Sequence, residues 1–168
     1  MRLLFSFPLL VGLVLLPVEA LSALSAPAVR EQSRPAGSLA LRNVAFCVKI
    51  HHYGSWIRFP RNAFSPGQRV FLYADIDNFT SERAADTAWR MITKSTITIC
   101  DKKGEQVQEM PFQPAVDTCY SGVRRDYYNS YEFCIPEQCG PGPHKIKLTI
   151  KDELSGQTAS STVDFIVK

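Results

Sequence analysis

Three side chains that could support chemistry lie close together in the sequence: Cys47, His51 and His52. A thiolate with an adjacent base can act as a nucleophile, and the same groups suit copper or zinc. On an extended strand, however, Cys47 and His51 would be about 13 Å apart at roughly 3.3 Å per residue. They could bind one ion only if the strand bends. A metal-binding or hydrolytic domain using this region is therefore the alternative hypothesis, and no metal site or cofactor is predicted.

A second group combines two cations with an aromatic ring. Arg124 and Arg125 come shortly before Tyr127 and Tyr128. Guanidinium groups form forked hydrogen bonds with carboxylates and stack on aromatic rings. The alternation of a strand places Tyr127 and Tyr131 on one face and turns Tyr128 to the other. We expect Arg124, Arg125 and Tyr128 to form a surface that binds an envelope or extracellular protein or polysaccharide.

Acidic residues at two predicted strand ends offer oxygen ligands for calcium. These are Asp75, Asp77 and Asn78 at one end, and Asp152 and Glu153 at the other. The regular spacing and the glycine of a calcium-binding loop are absent. We therefore interpret these residues as solvated acids that keep the strand ends soluble.

The chain has five cysteines, and all of them follow the N-terminal apolar segment. An exported protein meets oxidising conditions, so disulfide bonds are expected. Because the number is odd, at most two bridges form within one chain and one thiol remains. The spacing does not select a pairing. The candidates are Cys47, Cys100, Cys119, Cys134 and Cys139.

The first residues have the organisation of an export signal. Met1-Arg2 gives a positive start, an apolar run extends from Leu3 to Leu16, and Val18-Glu19-Ala20 suits a signal peptidase. This predicts a signal peptide over residues 1–20, with an uncleaved N-terminal anchor as the alternative. The apolar run is shorter than the roughly 20 residues of a membrane span. We expect an exported protein located in the periplasm, at the cell surface or outside the cell, with no stable membrane span after signal removal.

The remaining chain divides into a linker and one domain. Residues 21–38 are rich in Ala, Ser and Pro, which predicts a flexible linker. Residues 39–168 fall in the usual range of roughly 100 to 150 residues for one domain. The net charge of +3 comes from 19 Lys and Arg against 16 Asp and Glu. These charges are dispersed and weak, so nucleic acid is not an expected partner.

Apolar and polar residues alternate most clearly near the end of the chain. Ile146, Leu148 and Ile150 lie on one parity of a run in which the other parity is mostly lysine. A turn at Asp152–Gly156 follows, and then a second alternating run that includes Phe165. This predicts a final β-hairpin in which Leu148 faces Phe165.

Shorter runs of the same kind occur upstream. Segments without alternation, at Thr80–Asp86 and Pro114–Arg125, are expected to be irregular or, for the first, at most one helical turn. The count is about seven or eight short strands separated by turns, and no helical periodicity competes with it. The sequence therefore predicts an all-β fold, an immunoglobulin-like antiparallel β-sandwich. The upstream runs start near Val44, Ser55, Arg69, Trp89, Val107 and Tyr127.

Several short motifs carry a resemblance to a known group. They are Phe46-Cys47, Ser65-Pro66-Gly67-Gln68, Asp77-Asn78-Phe79, Arg124-Arg125-Asp126-Tyr127-Tyr128 and Gly140-Pro141-Gly142. In this combination the chain resembles exported proteins of planctomycete-type bacteria with an immunoglobulin-like β-sandwich domain, a group without an assigned activity. The resemblance covers most of the domain and implies only a fold and an exported location. The favoured function is a non-catalytic exported binding or structural domain.

Overall fold

A computed structural model describes residues 31–33, 35–85 and 87–168. Within these ranges the chain is all-β, which confirms the predicted class. None of the described residues belongs to a helix that could cross a membrane. The predicted signal peptide and most of the predicted linker lie outside the described residues.

The described chain forms twelve strands, so the predicted count of seven or eight was too low. β6 replaces a segment that was expected to be a loop or one helical turn, and β9 lies within a segment that was expected to be irregular. Both are short and pair with the long strand β7, so their structure depends on that partner more than on their own pattern. The strands are β1 Gln32–Ser33, β2 Ala40–His52, β3 Ser55–Arg58, β4 Ala63–Phe64, β5 Arg69–Asp77, β6 Ser81–Ala85, β7 Ala88–Cys100, β8 Gln106–Pro111, β9 Ala115–Cys119, β10 Tyr128–Cys134, β11 Gly142–Asp152 and β12 Thr158–Val167.

The strands form two sheets. The larger has the order β1-β6-β7-β11-β12-β4, with β8 and β9 also paired to β7. The smaller has the order β10-β5-β2-β3. Pairing is antiparallel except between β12 and β4, which is parallel. β7 is the organising strand of the larger sheet because it pairs with β6 and β11 and also with β8 and β9.

Buried side chains from both sheets form one hydrophobic cluster, so the two sheets enclose a shared core. Alternation explains its composition, since every second residue of the long strands points inward. The fully buried members include Phe46, Leu72, Ile76, Ile97, Ile99, Ile146, Leu148 and Ile150.

The final hairpin is present, and its inward residues are confirmed, but its predicted register was wrong. Leu148 faces Ser161 on β12 and Ile97 on β7, whereas Phe165 faces His144. The turn sets this register, because the amide of Asp152 donates to the carbonyl of Gln157 at 2.9 Å. Counting back from that closing pair places Ser161 opposite Leu148.

Strict alternation along β2 would place Val48 and Ile50 on the same face as Phe46, but the structure does not. Phe46 points into the core, but Ile50 packs with Cys47 on the opposite face of the sheet, and Val48 is 49% exposed. The cause is an irregularity: the register shifts between Cys47 and Lys49 on the β3 side. Such a shift exchanges the faces of the residues that follow it.

Candidate functional site

The outward face of the smaller sheet carries a second hydrophobic cluster. Tyr73 lies on this face and is 0% exposed. It is covered by Trp56 and Tyr128, whose ring centroids lie 5.4 and 5.3 Å from that of Tyr73. The rings of Tyr73 and Tyr128 are stacked, with an angle of 25° between their planes. The other members are Ala45, Cys47, Ile50 and Phe71.

Hydrogen bonds fix the ring of Tyr73 in place. Its hydroxyl donates to the buried carboxylate of Asp75 and accepts from the amide of Gly54 at 2.8 Å. Asn43 Nδ2 donates to the second oxygen of Asp75 at 2.7 Å. Burial, together with the hydrogen bond to Asp75, raises the pKa of Tyr73 well above its usual value. Tyr73 is therefore a neutral, immobilised support for the ring of Tyr128.

Tyr128 lies between two cavities, which we together call the Tyr128 groove. The first, of about 340 Å³, has a mostly polar lining. The second, of about 260 Å³, has a more apolar one. Tyr128 and Ser130 line both cavities. The polar cavity is also lined by Tyr53, Asp117, Arg124, Tyr127 and Asn129, and the apolar cavity by Val48, Lys49, Ile50 and Phe71.

An ion pair forms part of the polar wall. Arg124 Nε lies 2.7 Å from Asp117 Oδ2, and both side chains are about one third exposed. Asp117 is placed by β9, where it faces Met91 of β7. Arg124 Nε and Asp117 Oδ2 are buried, and among the described residues neither has a hydrogen-bond partner of suitable geometry, so the contact between them is an ion pair alone.

The three predicted binding residues are not equivalent in the structure. Arg124 and Tyr128 line the same polar cavity. Arg125 is exposed and lines a neighbouring cavity together with Asn78 and Phe79. Arg124 lines this neighbouring cavity as well. Arg124 therefore connects the two halves of the predicted surface.

Three contributors to this site could not be predicted from the sequence. Tyr53 and Asp117 belong to segments with little alternation, so no periodic pattern marked them. Tyr73 lies in the regular strand β5, but its burial depends on Trp56 and Tyr128, which are distant in sequence. The signal that could have found it is the density of aromatic residues on outward positions of the strands.

The structure does not assemble the Cys47, His51 and His52 region into a reactive centre. Cys47 is 0% exposed, and its Sγ lies 3.4 Å from the carbonyl oxygen of Ala45. Burial raises the pKa of the Cys47 thiol to about 11. His51 and His52 are exposed at the end of β2. Among the described residues, no group of three or more His, Cys, Asp or Glu side chains could hold a metal ion.

Two of the acids that we interpreted as solvated are in fact buried. Asp75 is 4% exposed and Asp152 is 1% exposed. Protein donors satisfy both carboxylates: Asn43 and Tyr73 donate to Asp75, and Thr80, Leu154 and Ser155 donate to Asp152. Asp77 and Glu153 instead form ion pairs with Arg42 and Lys151.

All five cysteines are free thiols in the structure, so the disulfide pairing stays a prediction. Cys47 and Cys139 are buried, Cys100 and Cys119 are half-buried, and Cys134 is exposed.

We expect the reduced protein to alkylate faster at Cys119 than at Cys47. Hydrogen bonds from Ser121 lower the pKa of Cys119, so its reactive thiolate forms at a lower pH than usual. The Cys47 pKa of about 11 leaves almost no thiolate at neutral pH, and burial blocks access. Timed iodoacetamide labelling with peptide mass spectrometry measures both rates. Faster labelling of Cys47 would show that the Tyr73 cluster opens in solution.

Comparisons with known proteins identify no family for this chain. No protein-family model matches it, and no curated protein matches it. Among solved structures, it is similar to the DNA-bound alkylpurine DNA glycosylase AlkC of Pseudomonas fluorescens, with 11% identity, a TM-score of 0.44, and coverage of 78% of this chain and 30% of AlkC. It is also similar to the sporulation control protein Spo0M of Bacillus subtilis, with 12% identity, a TM-score of 0.38, and coverage of 79% of this chain and 50% of Spo0M. A third similar structure is a β-glucosidase of Listeria innocua, with 9% identity, a TM-score of 0.39, and coverage of 83% of this chain and 16% of the β-glucosidase.

The chain thus spans half or less of the length of each of these proteins. Likenesses at such TM-scores assign no function to it. The resemblance to planctomycete-type exported proteins stays a prediction, and the functional argument rests on the geometry of the Tyr128 groove.

Proposed function

We propose that the chain is a non-catalytic, exported binding domain that holds its ligand in the Tyr128 groove. The observation that carries this proposal is the stacking of Tyr128 on Tyr73, which is itself buried and hydrogen-bonded to Asp75. A half-exposed aromatic ring is thereby held rigid between a polar and an apolar cavity. Rigid aromatic side chains lose little conformational entropy on binding, which favours their use in recognition.

The two cavities suit a ligand with both polar and apolar parts. The ion pair of Arg124 and Asp117 adds two charged side chains to the polar cavity, and Tyr53 adds a second ring that is 37% exposed. On the other side of Tyr128, Ile50 and Phe71 offer apolar contact. An envelope or extracellular protein or polysaccharide meets these requirements.

The strand order supports an immunoglobulin-like arrangement as part of the proposal. In that fold, strands A, B and E share one sheet, and strands C, F and G share the other. Here β2, β5 and β10 lie together in one sheet, and β7, β11 and β12 lie together in the other. The additional short strands extend the sheets beyond this frame.

Export is proposed from the N-terminal sequence. The positive start, the apolar run and the small residue at Ala20 support a signal peptide over residues 1–20, followed by a linker that leads to the domain. A binding domain outside the cytoplasm would meet envelope and extracellular ligands directly.

We expect the double substitution Arg125→Ala with Tyr128→Ala to weaken ligand capture by about tenfold or more, because aromatic and arginine side chains dominate many interfaces. Arg125 lines the neighbouring cavity that Arg124 shares with the groove, so it reports on a ligand that extends beyond the groove. It is exposed, so its loss should hardly affect stability. Removing the half-buried Tyr128 ring should cost about 1 kcal/mol for the stacking on Tyr73 and about 1 to 2 kcal/mol more for the apolar surface that it covers, so the domain should stay folded. Capture of purified envelope polysaccharides and proteins by the immobilised domain measures the effect.

Tyr120→Ala provides the matched control. Tyr120 is 73% exposed and does not line the Tyr128 groove. Its substitution removes an exposed ring without changing the groove, so capture should equal that of the unmodified domain. Equal capture by the double variant and by this control would place the binding surface elsewhere.

A further inference from the structure

Among the described residues, one edge of β12 forms no backbone pairs over most of its length. One side of the strand pairs with β11 throughout, but on the other side β4 pairs only with Ile166 and Val167. Ile166 N donates to Asn62 O at 2.8 Å, so this residue points its backbone groups away from β11. By alternation, Thr158, Ser160 and Thr162 do the same. Among the described residues, the outward backbone groups of these three form no backbone hydrogen bond.

The sequence of this edge lacks the residues that normally prevent strand addition. β12 pairs with β11 without a register shift, and residues 158–163 contain no Lys, Arg, Pro or Gly. Other edges are guarded by proline or by charge. Pro60 lies just beyond β3, β8 ends at Pro111, and β10 carries Glu132 in an ion pair with Arg69. The start of β2 passes close to β12, where Leu39 N donates to the Gln157 side chain, but the two strands do not pair.

We propose that β12 pairs antiparallel with β12 of a second copy of this chain, around a two-fold axis at Ser161. This interaction is independent of the Tyr128 groove, which belongs to the other sheet. The proposed register places Thr158 opposite Asp164 of the second copy and Ser160 opposite its Thr162. It matches the outward-pointing backbone groups of Ser160 and Thr162 with one another. At Asp164 the carbonyl oxygen accepts from Asn62 Nδ2 at 3.1 Å, so the pair with Thr158 forms only if this side chain moves aside. The two larger sheets become one continuous sheet.

The charges next to this edge are complementary in the proposed register. Asp164 is 80% exposed at its side chain and lies 3.8 Å from Lys145. Lys151 lies beside Thr158 on the neighbouring strand. Asp164 of the second copy would therefore lie two strands from Lys151, about 10 Å between backbones, which an extended lysine can span. Lys151, which also pairs with Glu153, and Lys145 of the second copy would then flank this acid.

The inward side of the edge is complementary as well. Ala159 and Val163 are half-buried and pack against the core. In the proposed register, Ala159 faces Val163 of the second copy, so a small and a larger apolar side chain meet. No like charges face each other along the paired stretch.

Sedimentation of the full-length mature protein, in reducing buffer to exclude cysteine bridges, tests the proposal. We expect the unmodified chain to form a dimer that dissociates on dilution. In the double variant Ser160→Lys with Thr162→Lys, the lysine introduced at each position faces the lysine introduced at the other position in the second copy. Two repulsive pairs therefore form across the axis. This should raise the dissociation constant by about tenfold or more.

A charge-reversed partner variant makes the test specific to the register. Ser160→Lys combined with Thr162→Glu places opposite charges across the axis, so the dimer should persist. Ser160 and Thr162 are exposed, so both variants should melt like the unmodified protein. A chain that stays monomeric at all concentrations would overturn the proposal. This outcome includes an edge that pairs only with an extended peptide from another protein. Equal association of the two variants would also overturn it.

Discussion

Asp152→Ala is expected to lower the free energy of unfolding by about 3 to 5 kcal/mol. The side chain is 1% exposed. Its Oδ2 accepts from the amide of Thr80 at 2.8 Å and from Ser155 Oγ at 2.7 Å, and its Oδ1 accepts from the amide of Leu154 at 2.9 Å. Truncation leaves buried donors without a partner, and hydrogen bonds to a charged group are among the strongest that a protein makes.

The effect should be large because Asp152 joins two distant parts of the chain. Its bonds to Leu154 and Ser155 close the turn between β11 and β12. Its bond to Thr80 holds the residue that precedes β6. The same carboxylate therefore stabilises the final hairpin and a segment 72 residues away. Losing it should loosen both at once.

Urea denaturation of Asp152→Ala and Glu153→Ala measures this difference directly. Glu153 is exposed and forms a surface ion pair with Lys151, so its loss should cost less than about 1 kcal/mol. Asp152→Asn keeps one oxygen acceptor and should give an intermediate value. Similar small losses for Asp152→Ala and Glu153→Ala would mean that water replaces the carboxylate without cost.

Local sequence patterns predicted the direction of side chains in regular strands. In β10, alternation correctly turned Tyr128 outward and placed Tyr131 and Phe133 in the core. It could not predict the support under Tyr128. That support depends on the pairing of β10 with β5, which brings Tyr128 opposite Asp75 and next to Tyr73. No local pattern encodes a pairing between segments about fifty residues apart.

Irregular backbone limited the prediction in β2 and at Asp152. In β2 the register against β3 shifts between Cys47 and Lys49, which leaves Val48 exposed and turns Ile50 to the face of Cys47. No residue type at these positions requires a bulge, so the sequence gives no local indication of one. The turn at Asp152 was recognisable from its composition. The burial of the Asp152 side chain could not be predicted, because its hydrogen bond from the Thr80 amide joins two distant parts of the chain.

Leu148→Ala is expected to destabilise the domain by about 2 to 5 kcal/mol, because it removes buried apolar surface and leaves a cavity. Leu148 is 0% exposed and lies on β11, between β7 and β12 in the larger sheet. A typical domain has about 5 to 15 kcal/mol in total, so this single truncation removes a large share. Lys147 is exposed on the opposite face, and Lys147→Ala should change the unfolding free energy by less than about 0.5 kcal/mol. Equal losses would contradict the observed alternation.

A double-mutant cycle can then test the register that replaced the predicted one. Leu148 faces Ile97 across the β7 ladder, whereas Phe165 faces His144 and lies several positions away from Leu148 along the hairpin. Side chains in direct contact share a cavity when both are truncated, and their effects are coupled by about 0.5 kcal/mol or more. Leu148→Ala with Ile97→Ala should therefore deviate from additivity, measured by urea denaturation. Leu148→Ala with Phe165→Ala should be closer to additive, and the reverse order of coupling would restore the predicted pairing of Leu148 with Phe165.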